Sequence, residues 1–447
     1  MRIADCGLRR IVDSGLSIGD SGSGRQSANA NPQSIHNPQS TIHNQSAIRN
    51  PQSAIFLSSL AFRAVSAVLG LFAALAFPPD HPITPDSTFW GRPSPFWDAM
   101  VRHDSGWYLD IARKGYDVSG AVAGGRSNIA FAPVYPLLMR YVGRIFGRSP
   151  GDFYLGGLVV SWLSFVLAMV ALYRLAALDL PPRRAERAVL LTALFPFSFF
   201  FGAVYTESTF LLFAVLAFYG FRTRRWALGG VCAAIAGATR VTGILMWPSL
   251  VWIAWRATRS GADADTAVAL PRAHERDRLA AAAALVVATA GFVLYCAFVY
   301  RETGQPFLWA EALTRWGSGY HPGGAPWLAP IALVRALATH PYAFLTGSPM
   351  AVYDTLYGVT ALAFAAATPF VWRRLGAAYG LFMALNLYVP LSSGAFEGLG
   401  RYCSVLFPCF IWLAGLRSRR IATAIVVGFA LFYTLGLTMF STLRPLF

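Results

Sequence analysis

A series of apolar runs of bilayer length constrains this chain more than any other feature. Residues 55–77, 155–178, 279–300, 352–371 and 421–440 each approach or exceed the ~20 residues that a helix needs to cross a ~30 Å hydrocarbon core. Only 13% of the residues are charged and 55% are hydrophobic, whereas a soluble domain of this length carries far more charge. The chain therefore reads as an all-α integral membrane protein. Its formal net charge of +16 is carried by arginines placed mostly at the ends of apolar runs. That placement is the positive-inside signal of a multi-pass protein and argues against nucleic-acid binding.

The arginine clusters set the orientation. Arg174, Arg183, Arg184 and Arg187 mark one short loop; Arg222, Arg224 and Arg225 mark the next; Arg256 and Arg259 follow. Arg373 with Arg374, and Arg417 with Arg419 and Arg420, mark two more. If all are cytoplasmic, neighbouring clusters are separated by an even number of crossings. Two short hairpins then fit between residues 187 and 256, with turns near 203–207 and 240–243. Their arms, at ~15 residues, fall below the usual span and call for local thinning or shielding by neighbouring helices. The count is about eleven transmembrane helices, N-terminus in and C-terminus out, with outward loops at about 78–151, 301–350 and 391–402. The first of these loops is rich in cations (Arg92, Arg102, Arg113, Lys114, Arg126, Arg140, Arg144, Arg148). Long loops translocate regardless of charge, so the orientation stands, and the loop can attract an anion.

Residues 1–54 differ in kind. Asn-Pro-Gln-Ser recurs at 31–34, 37–40 and 50–53. Such a composition cannot bury a core, and the segment reads as disordered, followed by one membrane domain over 55–447. No apolar stretch follows the early arginines, so no signal peptide is read there. The five cysteines form no C-x-x-C pair, and no metal-ligand or disulfide framework is read from them.

Residues 96–112 of the first outward loop read as one short amphipathic helix. Trp97, Met100, Trp107, Tyr108 and Ile111 lie toward lipid or core, as in helices at the membrane interface. Gly115 is the expected cap, and a second amphipathic piece runs from about 134 to Gly147. His103-Asp104-Ser105-Gly106-Trp107-Tyr108, with Ile111-Ala112 and Gly115-Tyr116, is followed by Phe131-Ala132-Pro133-Val134-Tyr135-Pro136. Further on come Tyr205-Thr206-Glu207-Ser208, Arg240-Val241-Thr242-Gly243 and Gly400-Arg401-Tyr402. Together, over roughly residues 55–440, these segments resemble the PIG-V-type mannosyltransferases, polytopic enzymes of the GT-C class. One position departs from the pattern, since His103 stands where the family often has tryptophan.

The resemblance implies transfer of a hexose, mannose by family, from a polyprenyl-phosphate donor to an acceptor hydroxyl at the outer face, with inversion. It implies a dolichyl-phosphate-mannose-like donor and chemistry akin to GPI-anchor biosynthesis. Phosphate is already a good leaving group, so the enzyme must deprotonate the hydroxyl and stabilise an oxocarbenium-like centre. Asp104, on an interfacial helix, fits the base; the alternative is an exposed carboxylate or a helix N-cap. Asp98 and Asp110 lie six residues to either side and cannot all share its face. Glu207, in a turn between apolar arms, is costly facing lipid and belongs at a polar cavity near the site, or is a plain turn residue. Arg240 and Arg401 are candidate partners of the donor phosphate through their planar forks, with snorkelling as the alternative for Arg401. Tyr205 and Tyr402 join them as substrate-binding candidates. His103 either assists Asp104 or packs. Residues 301–350, with Pro306, Trp309, Trp316 and Trp327, read as interfacial and can cover the acceptor site, while His321 is uninformative.

No Asp-x-Asp pair of the kind that holds a nucleotide-sugar metal lies in these motif segments, and with a lipid-phosphate donor no metal or cofactor is expected. The expected partners are membrane lipid, the lipid-linked donor, and a glycolipid, glycan or protein acceptor. The expected location is a bacterial-type cytoplasmic membrane, active site outward. Two other classes remain: a secondary transporter or lipid-linked-sugar flippase, which would show an internal repeat and short outward loops, and a non-catalytic subunit of a membrane assembly.

Overall fold

The computed structural model describes residues 51–83, 88–259, 271–315, 324–348 and 350–446, leaving aside the side chains of 271–274. Among these residues the regular structure is entirely helical. The segment before residue 51, Trp316 and His321 lie outside the described residues.

The first helix, α1 (Pro51–Ala76), begins inside the last Asn-Pro-Gln-Ser copy, four residues earlier than the expected boundary. Proline suits a first helical turn, because its missing N–H has no partner there anyway. Four short helices fill the first long connection: α2 (Pro95–Asp98), α3 (Ser105–Lys114), α4 (Val118–Val122) and α5 (Val134–Phe146). α6 (Pro150–Ala176) is opened by a capping box in which Ser149 and Asp152 satisfy each other's backbone N–H groups.

The two expected hairpins are present only as helix–turn–helix segments of the chain, α7 (Pro182–Leu194) with α8 (Glu207–Arg222) and α9 (Trp226–Thr239) with α10 (Trp247–Arg259), joined by 3₁₀ turns at Ser198–Gly202 and Val241–Met246. A 14-residue helix such as α9 rises only about 21 Å. α9 is shielded by α8 and by α11 (Pro271–Thr303). Small residues allow that closeness: a Cβ on Gly291 of α11 would sit 1.8 Å from the Ala234 carbonyl of α9, and one on Gly230 2.7 Å from the Ala284 carbonyl. The remaining helices are α12 (Leu308–Leu313), α13 (Leu328–Thr339), α14 (Pro341–Gly347), α15 (Ala351–Leu375), α16 (Ala377–Leu391), α17 (Leu399–Ser404), α18 (Phe407–Ala414) and α19 (Arg419–Ser441). The arms of the two hairpin segments pack on other helices, α7 on α6 and α18 and α10 on α11 and α16, rather than on each other.

Five helices are long and apolar enough to cross a membrane: α1, α6, α11 (from Glu275), α15 and α19. They make the chain a multi-pass membrane protein. The count reaches six if α13 and α14, apolar and bent by 117°, form one broken span. Residues 301–350, expected as an outward interfacial loop, thus hold three helices, α12, α13 and α14, among the described residues. Pro341 starts α14 after His340, and that break produces the bend. Cys232, Cys296, Cys403 and Cys409 are free and buried, as small apolar packing residues are.

Candidate active site

The site is built where the first long connection meets the two hairpin tips. The expected single helix over 96–112 is instead broken. α2 ends at Asp98, a turn follows, and His103 takes a left-handed backbone (φ 51°) before α3 starts at Ser105. The apolar residues on the two sides of the break keep one helical phase, but tertiary contacts override it. Segment 198–206 runs alongside: the Val204 N–H donates to the Met100 carbonyl (3.0 Å), and the Ser105 hydroxyl donates to the Val204 carbonyl (3.3 Å).

This strap brings Tyr205 beneath Asp104. The Asp104 N–H donates to Tyr205 Oη (3.1 Å), and that hydroxyl donates to the Arg102 carbonyl (3.1 Å). Asp104 occupies the N-cap position of α3, yet its side chain makes no capping bond. Its carboxylate accepts from Arg401 Nη1 instead (2.5 Å). Arg401 reaches this point from α17, 297 residues away.

Glu207 opens α8 at the tip of the first hairpin, where a carboxylate complements the helix dipole. Its side chain is fully buried. One oxygen, Oε1, accepts from Arg240 Nη1 and lies 3.2 Å from Arg401 Nε; among the described residues the other has no hydrogen-bond partner. Arg240 ends α9 at the second tip, with its guanidinium 4.7 Å from the Tyr402 ring centre, while Arg401 lies 5.3 Å from that of Tyr205. Asp104, Glu207, Arg240 and Arg401 thus form one charge-balanced chain, flanked by both tyrosines. Burial alone would lower the Arg401 pKa, but the Asp104 and Glu207 carboxylates outweigh it and hold it well above the ordinary value. Asp104 is the most open of the four, at 20% exposure against 14% for Arg401, 9% for Arg240 and none for Glu207.

The neighbouring aspartates have other work. Buried Asp98 accepts from the N–H groups of Phe89 (2.8 Å) and Ser94 (2.7 Å), closing the loop before α2. Asp110 accepts from Asn128 (3.0 Å) and pairs with Lys114 (2.9 Å). His103 packs, its ring 5.8 Å from that of Phe440, on a flank of α3 where it lines a cavity of about 530 Å³ with Arg102, Trp107 and Arg113. Burial lowers its pKa to about 4. The folded state therefore favours neutral His103, and below pH 6.5 the unfolded chain binds the extra proton. Stability from this group is complete above pH 6.5 and is lost as pH falls to about 4, a contribution of at most about 3 kcal/mol. His103→Asn, which tolerates the left-handed backbone, should flatten this part of the melting-temperature profile in detergent between pH 7 and pH 4.5.

Two arginines belong to this architecture although no motif marks them. Arg102 is buried and supplies the carbonyl that Tyr205 grips. Arg63 lies in the middle of α1, only 1% exposed. A cation inside an apolar run is the signal that could have found it.

Residues 90–257 match the family described as Mannosyltransferase (PIG-V). The match bears out the resemblance carried by the motifs and contains His103, Asp104, Tyr205, Glu207 and Arg240; Arg401 and Tyr402 lie beyond it. No curated protein matches the chain. Among solved structures it is similar to ArnT from Cupriavidus metallidurans bound to undecaprenyl phosphate (14% identity, TM-score 0.44, covering 86% of this chain and 76% of that one). It is also similar to the oligosaccharyltransferase AglB from Archaeoglobus fulgidus in complex with an inhibitory peptide and a dolichol-phosphate (13%, 0.43, 87% and 56%). A third is the S. cerevisiae protein O-mannosyltransferase Pmt1–Pmt2 complex bound to the sugar donor (13%, 0.37, 57% and 34%). The chain spans about half the length of the oligosaccharyltransferase chains it matches.

Proposed function

We propose that this protein is a membrane glycosyltransferase that moves a hexose, mannose by family, from a polyprenyl-phosphate donor to an acceptor hydroxyl, with inversion. The observation that carries the reading is the Asp104 carboxylate. Among the three aspartates of this region it alone is free of local structural work, and it is held by Arg401 inside a buried ionic chain at two hairpin tips. Asp104 acts as general base. It takes the hydroxyl proton as the acceptor oxygen attacks the anomeric carbon, and the bond from that carbon to the phosphate oxygen breaks with its electron pair. A single displacement inverts the centre, and polyprenyl phosphate leaves.

Arg240 and Arg401 are each already engaged with a carboxylate, so their contact with the donor phosphate is a rearrangement within the chain of charges. Tyr205, Tyr402 and His103 shape the walls. A cavity of about 660 Å³ between α13, α14 and α15, its mainly apolar wall carrying Asp354 and Glu397, offers the acceptor an approach. The arginine clusters support about eleven crossings with the site facing outward from a bacterial-type cytoplasmic membrane. The acceptor is a glycolipid, a glycan or a protein.

The test uses the purified full chain in proteoliposomes with radiolabelled polyprenyl-phosphate mannose and a membrane extract, and identifies the product by mass spectrometry. Transfer is expected. Lipid or solute flux without transfer overturns the reading in favour of a transporter. Neither transfer nor flux favours a non-catalytic subunit.

A further inference from the structure

We infer that Arg63, a buried cation in α1, is a positioning residue for Asp104 and acts through the strap over residues 198–206. The inference rests on the transferase reading above. Arg63 donates through Nη1 to the Ser198 carbonyl (3.1 Å) and through Nη2 to Tyr433 Oη (3.4 Å). Tyr433 in turn donates to Ser66 Oγ (2.7 Å), one turn along α1. The guanidinium lies 4.3 Å from the ring centre of Phe165 in α6 and 4.6 Å from that of Phe62. Among the described residues no carboxylate pairs with it.

A charge in an apolar helix is expensive, and a fold needing only packing here would carry methionine or leucine. What the guanidinium does at this point is grip backbone. It joins α1, α6 and α19 to the first residue of the Ser198–Gly202 turn. At the far end of that turn, a Cβ on Gly202 would stand 3.1 Å from Arg63 Nη1, so glycine lets the turn close over the guanidinium. The Trp162 indole N–H holds the Gly202 carbonyl (3.1 Å), and the Ser208 hydroxyl holds that of Phe201 (2.9 Å).

Both ends of Asp104 depend on this strap. Its N–H donates to Tyr205, and its carboxylate binds Arg401, which also pairs with Glu207 at the strap's end. A strap released at Ser198 lets Tyr205 and Glu207 shift together, and the base moves with them. Misplacement of a catalytic group by about 1 Å can cost about a hundredfold in rate.

Arg63→Met should therefore lower kcat for transfer per folded molecule by about tenfold to a hundredfold, with the donor KM changed less than about threefold. Arg63→Lys, which keeps the charge but loses the fork, should recover part of that loss. Gly202→Ala keeps every charge, crowds the guanidinium, and should give a smaller effect of the same kind. A second readout does not need transfer: labelling of Asp104 by a water-soluble carbodiimide, measured by peptide mass spectrometry, should rise at least about threefold in Arg63→Met and rise detectably in Gly202→Ala. Unchanged labelling in folded Arg63→Met overturns the inference, as does a loss of activity that tracks the folded fraction alone. If Arg63→Met does not fold, unchanged labelling in Gly202→Ala overturns it. Wild-type protein that transfers no sugar while the labelling still rises refutes the transferase reading and leaves the strap intact.

Discussion

Asp104→Asn is expected to lower kcat for sugar transfer by about 10²- to 10⁴-fold while the protein still folds. Asparagine keeps the size of the side chain and can still accept from Arg401, but it cannot take a proton at neutral pH. The helix loses little, because Asp104 occupies the N-cap position of α3 without making the capping bond. Its backbone contact to Tyr205 is untouched by the change. Single-turnover transfer and a melting curve in detergent separate the two effects. Asp98→Asn and Asp110→Asn give the contrast. Asp98 closes a loop with two backbone bonds and Asp110 braces Asn128, so their loss should appear mainly as lower melting temperature. Full activity in Asp104→Asn removes the base from the mechanism.

Different kinds of signal made different parts of this architecture legible. Arginine clusters called for an even number of crossings between short loops, which put Glu207 and Arg240 at turns between helices; in the structure Glu207 opens α8 and Arg240 ends α9. Four separated motifs pointed to one site, and Asp104, Glu207, Arg240 and Arg401 do meet. The break at His103 was not legible. The apolar residues on either side of 102–106 keep one helical phase, Met100 to Trp107 and Val101 to Tyr108, so the pattern reads as one helix, while the bonds that interrupt it come from a strap a hundred residues away. The bend between α13 and α14 was hidden similarly, since a polar and aromatic stretch flanking Pro341 reads equally well as loop. Arg240 and Arg401 were read toward a phosphate, which their fork geometry suits. Which carboxylate each engages depends on pairs as far apart as 104 and 401, and no local pattern records such a pair. Arg63 shows the converse case. Its position inside an apolar run was visible, but what it grips was not.

The largest effect on stability is expected at Glu207. Its side chain is fully buried and is the only carboxylate touching both Arg240 and Arg401 among the described residues. Glu207→Gln preserves the volume, removes the carboxylate that pairs with Arg240 and leaves Arg401 with Asp104 alone. Breaking a buried ion pair by removing one partner typically costs about 3–5 kcal/mol, because the surviving charge stays out of water without compensation. A marked drop in melting temperature follows, and activity falls with it, since Arg401 loses its second anchor and Asp104 loses a fixed partner. The decisive measurement is the double variant Glu207→Gln with Arg240→Gln. It restores the balance of one carboxylate to one guanidinium, so it should recover more than half of the lost stability even though it removes a further polar side chain. A double-mutant cycle then reports a coupling of at least about 2 kcal/mol. Recovery of stability without recovery of transfer would show that the charge chain has two separable duties: Glu207 offsets the buried arginines so that the hairpin tips can meet, and through Arg401 it holds the carboxylate of Asp104 in place. Wild-type stability in Glu207→Gln alone would mean that the arginines find water instead, and the buried chain of charges would not hold the tips together.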